Sequence, residues 1–248
     1  SMALGKETFL NLVPCAILSW CNVVCGLKAL EHVNIPMFST LRQLTVLFTL
    51  GSEIVALGKY PSMGIFLSVL LMAAGSVMGG LTDSTFTVLG YVLVFMNNTL
   101  TALYLVFAKR ALSNENSLSP LVLAFYLFGF NSIPTFILWV GTGEAKVVYL
   151  LLTTNADYHT FSFGFMLMMS SVSAFAITYF TMLSTDLTSP LTTTVAAQVK
   201  TSLQNILGMF SWGYVANALN VTGLMIALAG NCAFALVKYK ESIAPPVA

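Results

Sequence analysis

Charge is what this sequence has least of. Only 8% of its 248 residues are Asp, Glu, Lys or Arg, where a soluble domain carries about 25%. Hydrophobic residues make up 57%, and mean hydropathy is +0.87. A soluble globule must still cover itself with polar groups, so a chain this poor in charge is excluded from that class and points to lipid as its solvent. The net charge is +1, and the ten Lys and Arg residues are scattered singly or in pairs without a basic stripe, which excludes a nucleic-acid binder. Cysteines number four and form no C-x-x-C pair; Cys21 and Cys25 lie one helical turn apart inside an apolar run and read as packing residues rather than metal ligands. The two histidines, His32 and His159, fall in links far apart. HExxH, a phosphate-cradling Gly loop with Lys-Ser/Thr, G-x-S-x-G, and paired Asp or Ser–His inside a span are all missing. No enzyme activity, cofactor or metal is therefore expected.

What the chain has instead is long apolar runs. A spanning helix needs roughly 20 mostly apolar residues, and eight stretches qualify: 8–30, 36–57, 63–82, 86–108, 119–142, 161–184, 190–210 and 217–238. Their length and lack of alternation exclude membrane strands. Pro36, Pro61, Pro120 and Pro190 mark the short links, and 143–160, with Glu144, Lys146, Asp157 and His159, reads as a solvent-exposed loop. Ser1-Met2 reads as an expression scar. No cleavable signal is expected, because the first apolar run continues too far and seven more follow.

An even number of spans puts both termini on one side. That side holds Lys6, Lys59, Lys109, Arg110, Lys238 and Lys240, against Lys28 and Lys146 opposite, which predicts cytosolic termini. The sequons at Asn97 and Asn220 are expected to stay unmodified, one inside a span and the other in a very short link.

An internal repeat organises the spans. IPMFSTLRQLTVLFTLGSEIV has Pro36 as its second residue and SPLTTTVAAQVKTSLQNILGMF has Pro190, an offset of 154 residues. Each is followed by a span with a small-residue patch, Ala73-Ala74-Gly75 in one and Ala227-Leu228-Ala229-Gly230 in the other. The preceding spans, 8–30 and 161–184, match at nearly the same offset. The second copy can also claim 86–108 and 119–142, giving five helices. Five is odd, so two such units insert in opposite orientations. The expectation is an all-α membrane protein with eight helices of a ten-helix inverted-repeat (5+5) fold. Residues 1–83 are then a three-helix remnant of the first repeat, 84–240 the five-helix second repeat and 241–248 a cytosolic tail.

Two cations lie inside spans, where a charge at mid-membrane costs about 2.5–3.5 kcal/mol. Lys200 is ten residues past Pro190, about 15 Å deep, and Arg42 six past Pro36, about 9 Å in. In the repeat frame Arg42 matches Ala196, so Lys200 lies one turn further along the same face. Glu53 is near a helix end, and Asp83 and Asp186 are in links, so no carboxylate stands at comparable depth. Two cations without a fixed counter-ion point to a mobile anion such as phosphate or pyrophosphate; backbone carbonyls with Gln198, Gln204 or Asn205 are the structural alternative. Span 86–108 adds a polar patch of Asn97, Asn98, Thr101 and Tyr104, which either lines a cavity or bonds neighbouring helices. Tyr126, Tyr179 and Thr192 to Thr194, Thr193 included, are weaker candidates of the same kind.

These residues carry a family resemblance. IPMFSTLRQLTVLFTLGSEIVALGK resembles the third-to-fourth-helix region of Golgi and endoplasmic-reticulum nucleotide-sugar transporters, members of the drug/metabolite transporter superfamily. GYVLVFMNNTLTALYLVFAKR resembles their sixth helix, and SPLTTTVAAQVKTSLQNILGMF their ninth. The likeness spans nearly the whole chain in order, and is closest to the UDP-glucuronate/UDP-N-acetylgalactosamine and UDP-N-acetylglucosamine subgroup. It implies a ten-helix parent, of which the first two helices are absent here, with cytosolic termini in a Golgi or endoplasmic-reticulum membrane. It also implies exchange of a cytosolic nucleotide sugar for a luminal nucleoside monophosphate, with a homodimer open. GDP-mannose members carry FYNN on the seventh helix and GALNK on the ninth. The first motif's position here reads Phe125-Tyr126-Leu127-Phe128, without the asparagines that would bond guanine. The second reads Ala196-Ala197-Gln198-Val199-Lys200, keeping the lysine. The resemblance thus implies UDP-sugar/UMP antiport by alternating access. Substrate-binding residues are expected at Lys200, Arg42, Asn97, Asn98, Thr101, Tyr104, Tyr126, Gln198 and Thr193. The alternatives are a phosphorylated-metabolite carrier of the same superfamily and a truncated membrane protein that does not transport.

Overall fold

The computed structural model describes residues 6–80, 87–113, 118–154, 158, 160–211 and 218–243. Among these there is helix and no strand. The helices are α1 (Lys6–Leu30), α2 (Ile35–Arg42), α3 (Thr45–Leu57), α4 (Met63–Gly80), α5 (Val88–Ser113), α6 (Pro120–Gly141), α7 (Glu144–Thr154), α8 (Phe161–Leu187), α9 (Pro190–Ser211) and α10 (Ala218–Ile243). Asp83, Asp157, His159 and the tail segment 244–248 lie outside the described residues, as does the side chain of Asn220.

The proline signals are helix starts. Pro120 and Pro190 open α6 and α9 as their first residues, where the missing N–H costs nothing. Ser119 accepts from Val122 N at 3.4 Å and Ser189 from Thr192 N at 3.3 Å, capping those ends. Gly58 ends α3 with φ 63°, and its N–H returns to Ile54 O at 3.2 Å.

Seven helical stretches among the described residues are long and apolar enough to cross a membrane. The expected eighth, α9, has the length, 22 residues, or about 33 Å. Thr192 to Thr194, Gln198, Lys200, Thr201, Gln204 and Asn205 keep it out of that set by lowering its hydropathy.

One expectation is corrected. Segment 143–160 is not simply a loop, because Glu144–Thr154 is helical. It holds no Gly or Pro, opens on an acidic residue suited to a helix N-terminus, and carries the apolar run Val147 to Leu152. Its eleven residues are too few to span. The expected span 36–57 stands as a candidate crossing over Met37–Leu57 and is built from two helices, because α2 stops at Arg42 and α3 starts at Thr45.

Contacts group the chain into two compact units, one of residues 1–20 and 107–187, the other of 21–106 and 188–248. In the first, Trp20 Nε1 donates to Thr135 Oγ1 at 3.2 Å and Asn131 Nδ2 to Ser19 Oγ at 3.0 Å, joining α1 to α6. The Phe128 and Phe175 rings meet at 5.5 Å between α6 and α8. Lys109 Nζ donates to the Asp186 carbonyl at 2.6 Å, at the last turn of α8.

The second unit packs α2, α3, α4, α9 and α10 with parts of α1 and α5. One core cluster joins Ala29, Val33, Phe38, Leu41, Leu44 and Val94, and another joins Val46, Leu50, Val69, Met72, Val195 and Phe234. Helices α4 and α10 cross with their backbones touching. A Cβ on Gly75 would stand 2.5 Å from Ala227 N and from Gly223 O, and one on Gly230 would stand 2.8 Å from Met72 N. The small-residue patches matched in the repeat therefore pack against each other. Pairing runs from Gly64–Val237 through Gly75–Ala227 to Gly79–Gly223, so the helices are antiparallel.

Candidate functional site

The second unit gathers its buried polar side chains along α9, α3 and the break between α2 and α3. Glu53 is buried and its Oε1 accepts from Leu191 N at 2.8 Å, in the first turn of α9. There a carboxylate faces unpaired N–H groups and the positive end of the helix dipole. Further along, the Thr49 and Thr194 hydroxyls meet at 3.2 Å. Deeper still, Gln198 Nε2 donates to the Gln43 carbonyl. These contacts form a polar seam between antiparallel α3 and α9, the helices matched in the repeat.

The seam ends at the break. Gln43 N bonds Thr40 O and Leu44 N bonds Leu41 O, both at 3.1 Å, in the tight three-residue pattern. Asn98, with no exposed surface, donates from Nδ2 to Leu41 O at 3.0 Å and accepts at Oδ1 from the Thr45 hydroxyl at 2.9 Å. Ser76 Oγ donates to Gln43 Oε1 at 3.1 Å. One residue earlier on α5, Asn97 Nδ2 donates to Asn22 O at 2.7 Å and also to Asn22 Oδ1, while Asn22 Nδ2 donates to Thr101 Oγ1 at 2.9 Å. These groups lie in helices read as spanning a membrane, where water is not available to satisfy them.

The expected site residues divide accordingly. Asn97, Asn98, Thr101 and Gln198 have amide or hydroxyl groups bonded within the helix bundle. Thr193 is buried near the start of α9, Tyr104 is half-buried on α5, and Tyr126 is half-buried in the other unit with its ring edge-on to Phe125 at 6.4 Å. Lys200 and Arg42 are exposed. Lys200 shares the open face of α9 with Ala196 and Gln204, while Thr194, Gln198 and Ser202 form the packed face. The structure does not bring Lys200 and Gln198 together, because two residues are about 200° of helical turn. Arg42, the last residue of α2, holds its guanidinium 5.7 Å from the Phe38 ring centroid. Among the described residues the ion pairs are Lys28–Glu31 at 2.9 Å and Lys238–Glu241 at 3.9 Å, neither involving Lys200 or Arg42. Sequence reasoning missed Gln43, Thr45, Ser76, Asn22 and Glu53. The signal available for the first two was a polar Arg42-Gln43-x-Thr45 cluster inside an apolar span.

Apolar helices of spanning length, with one span interrupted and fastened by buried amides, define a multi-pass helical membrane protein. The chain belongs to the Triose-phosphate Transporter family, whose pattern it matches over residues 2–235. It is 30% identical to the UDP-sugar transporter sqv-7 of Caenorhabditis elegans, over 93% of this chain and 70% of that protein. It is 32% identical to the nucleotide sugar transporter SLC35D2 of Mus musculus, over 95% of this chain and 71% of that one. With the UDP-galactose/UDP-glucose transporter 7 of Arabidopsis thaliana the identity is 34%, over 98% and 75%. Family and relatives alike are transporters rather than enzymes.

Proposed function

We propose that this chain carries nucleotide sugars across a membrane, taking a UDP-sugar one way and UMP the other by alternating access. The observation that carries the reading is its likeness, at 30–34% identity over nearly its whole length, to transporters named for UDP-sugars and nucleotide sugars. Lys200, in no ion pair among the described residues, supplies a cation for a pyrophosphate, with Arg42 as the second positive group. The antiparallel packing of the repeat-matched pairs α3–α9 and α4–α10 supports a 5+5 inverted repeat with α9 as a further span, since oppositely inserted units run equivalent helices in opposite directions. The proposed setting is a Golgi or endoplasmic-reticulum membrane with cytosolic termini and residues 1–83 and 84–240 as the repeat units.

A thermal-shift panel on the purified protein tests the base. UMP and UDP-sugars at about a hundred times Kd are expected to add about 2.7 kcal/mol of apparent stability, and GMP and GDP-mannose much less, because Leu127 and Phe128 stand where guanine-reading asparagines would. A larger shift with GMP rejects the uridine assignment. Stabilisation by phosphate or triose phosphates without any nucleoside preference moves the reading to a phosphorylated-metabolite carrier. Topology is tested separately: tags at both ends are expected to be digested by protease added to sealed microsomes, and protection of either tag rejects cytosolic termini.

A further inference from the structure

Sharp interruptions in a helix have local causes, namely Pro, Gly or Ser pairs, π-bulges, or a side chain inserted into the backbone ladder. Between Pro36 and Gly51 there is no Pro or Gly, and the residues at the break are Arg42-Gln43-Leu44-Thr45. Within the segment, the Thr45 hydroxyl turns back to the Arg42 carbonyl at 2.5 Å. Further partners come from outside. Asn98 on α5 bonds the Leu41 carbonyl at 3.0 Å and takes the Thr45 hydroxyl, and Gln198 on α9 bonds the Gln43 carbonyl. Both carbonyls keep a backbone bond within the chain, Leu41 O from Leu44 N at 3.1 Å and Gln43 O from Val46 N at 3.5 Å, and the outside amides occupy their second lone pairs. Asn98 has no exposed surface and Gln198 is 5% exposed, so neither is placed to touch a solute. Arg42 is exposed and is the residue at which α2 stops, so the geometry of the break sets where its guanidinium points.

We infer that Asn98 and Gln198 are positioning residues that hold the α2–α3 break and thereby aim Arg42 at the anionic part of the solute. The inference rests on the nucleotide-sugar reading for the identity of that solute, but not for the clasp itself. Gln198 also ties the break to the α3–α9 seam, so the two repeat-matched helices and the direction of Arg42 are set together.

The test uses the full chain in lipid nanodiscs, with its four native cysteines replaced and spin labels at Ile35 and Val55, which are 73% and 87% exposed on α2 and α3. The parent is expected to give a narrow distance distribution. Asn98→Leu and, independently, Gln198→Leu are expected to broaden it, because the carbonyls lose their outside partners. Narrow, unshifted distributions in both variants overturn the clasp; two separate variants keep the result decisive should one fail to fold. Binding of UDP-N-acetylglucosamine supplies the second arm. Arg42→Ala is expected to weaken it about tenfold, Asn98→Leu several-fold, and the double variant no more than Arg42→Ala alone, since residues acting through one another are non-additive. Losses that multiply overturn action through Arg42. A parent that binds no UDP-sugar rejects the nucleotide-sugar reading and the aiming of Arg42 with it, while the spin-label distances still decide the clasp.

Discussion

Lys200→Ala is expected to cost about tenfold to a hundredfold in affinity for a nucleotide sugar while leaving the apo protein as stable as before. The lysine is the eleventh of the 22 residues of α9 and stands on its open face, so it lies about 15 Å from the helix start, which in the proposed spanning placement of α9 is near the middle of a bilayer. No carboxylate among the described residues pairs with it. A cation in that position is stable only in a hydrated or anion-occupied space. If the solute's phosphates are its partner, removing the ammonium deletes a charged hydrogen bond worth about 1.5–3 kcal/mol, which gives the stated loss. Lys200→Arg is expected to recover part of it, keeping the charge but presenting a bulkier planar fork. The structure sharpens the control. The packed face of α9 is the one with Thr194, Gln198 and Ser202, so truncating Lys200 removes no core contact, and the expected change in stability is within about 0.5 kcal/mol. Binding and apo Tm measured on the same purified variant separate the two roles. Unchanged affinity in a well-folded Lys200→Ala protein ends the phosphate-clamp idea, and a lowered Tm with unchanged affinity reassigns the lysine to structure.

The second large effect is expected at the α4–α10 crossing. Gly75→Val and Gly223→Val are each expected to lower Tm by about 6–12 °C or to abolish recovery of folded protein, corresponding to about 3 kcal/mol or more. A Cβ on Gly75 would meet backbone N and O atoms at 2.5 Å, and one on Gly223 would meet Gly75 O at 2.6 Å and Gly79 N at 2.7 Å. Backbone cannot rotate aside as a side chain can, so the two helices must separate. In lipid, helix association relies on close van der Waals packing rather than on a hydrophobic drive, and separation forfeits that packing along the whole contact. Gly164→Ala on α8, where an added Cβ meets nothing within 4 Å, is the matched control. It is expected to leave Tm unchanged or raise it slightly, because alanine favours helix over glycine by about 0.5–1 kcal/mol. Equal Tm values for Gly75→Val and Gly164→Ala would show that the crossing is not close-packed.

Most of the helices were legible because hydropathy and length respond directly to the solvent. Pro36, Pro120 and Pro190 reported helix starts through the fixed φ and missing N–H of proline. The same logic misjudged Glu144–Thr154, because a span search weighs length first, and eleven residues between polar flanks resemble a link although Glu144, Ala145, Lys146 and Leu150 to Leu152 favour helix. It was also blind to the interruption at Gln43, since residues 36–57 contain no local breaker at that point. The site shows the same division. Depth and charge marked Lys200 and Arg42 from sequence, and both are exposed on their helices. Asn97, Asn98, Thr101 and Gln198 were recognised as polar groups in apolar surroundings, but whether such a group lines a space or bonds a neighbour depends on a partner tens of residues away.

By itself, then, the sequence determined the solvent, the helical class and the helix starts at the prolines, and it singled out two cations within predicted spans, because each follows from local composition, spacing or the cost of charge in lipid. Only the tertiary structure decided which helices face each other, where the Pro36–Leu57 span breaks, and that Asn98 and Gln198 spend their amides on Leu41 and Gln43 carbonyls. The physical reason is that in a membrane every polar group must find a partner inside the protein. Composition shows that the need exists, and only the packing of distant helices shows how it is met.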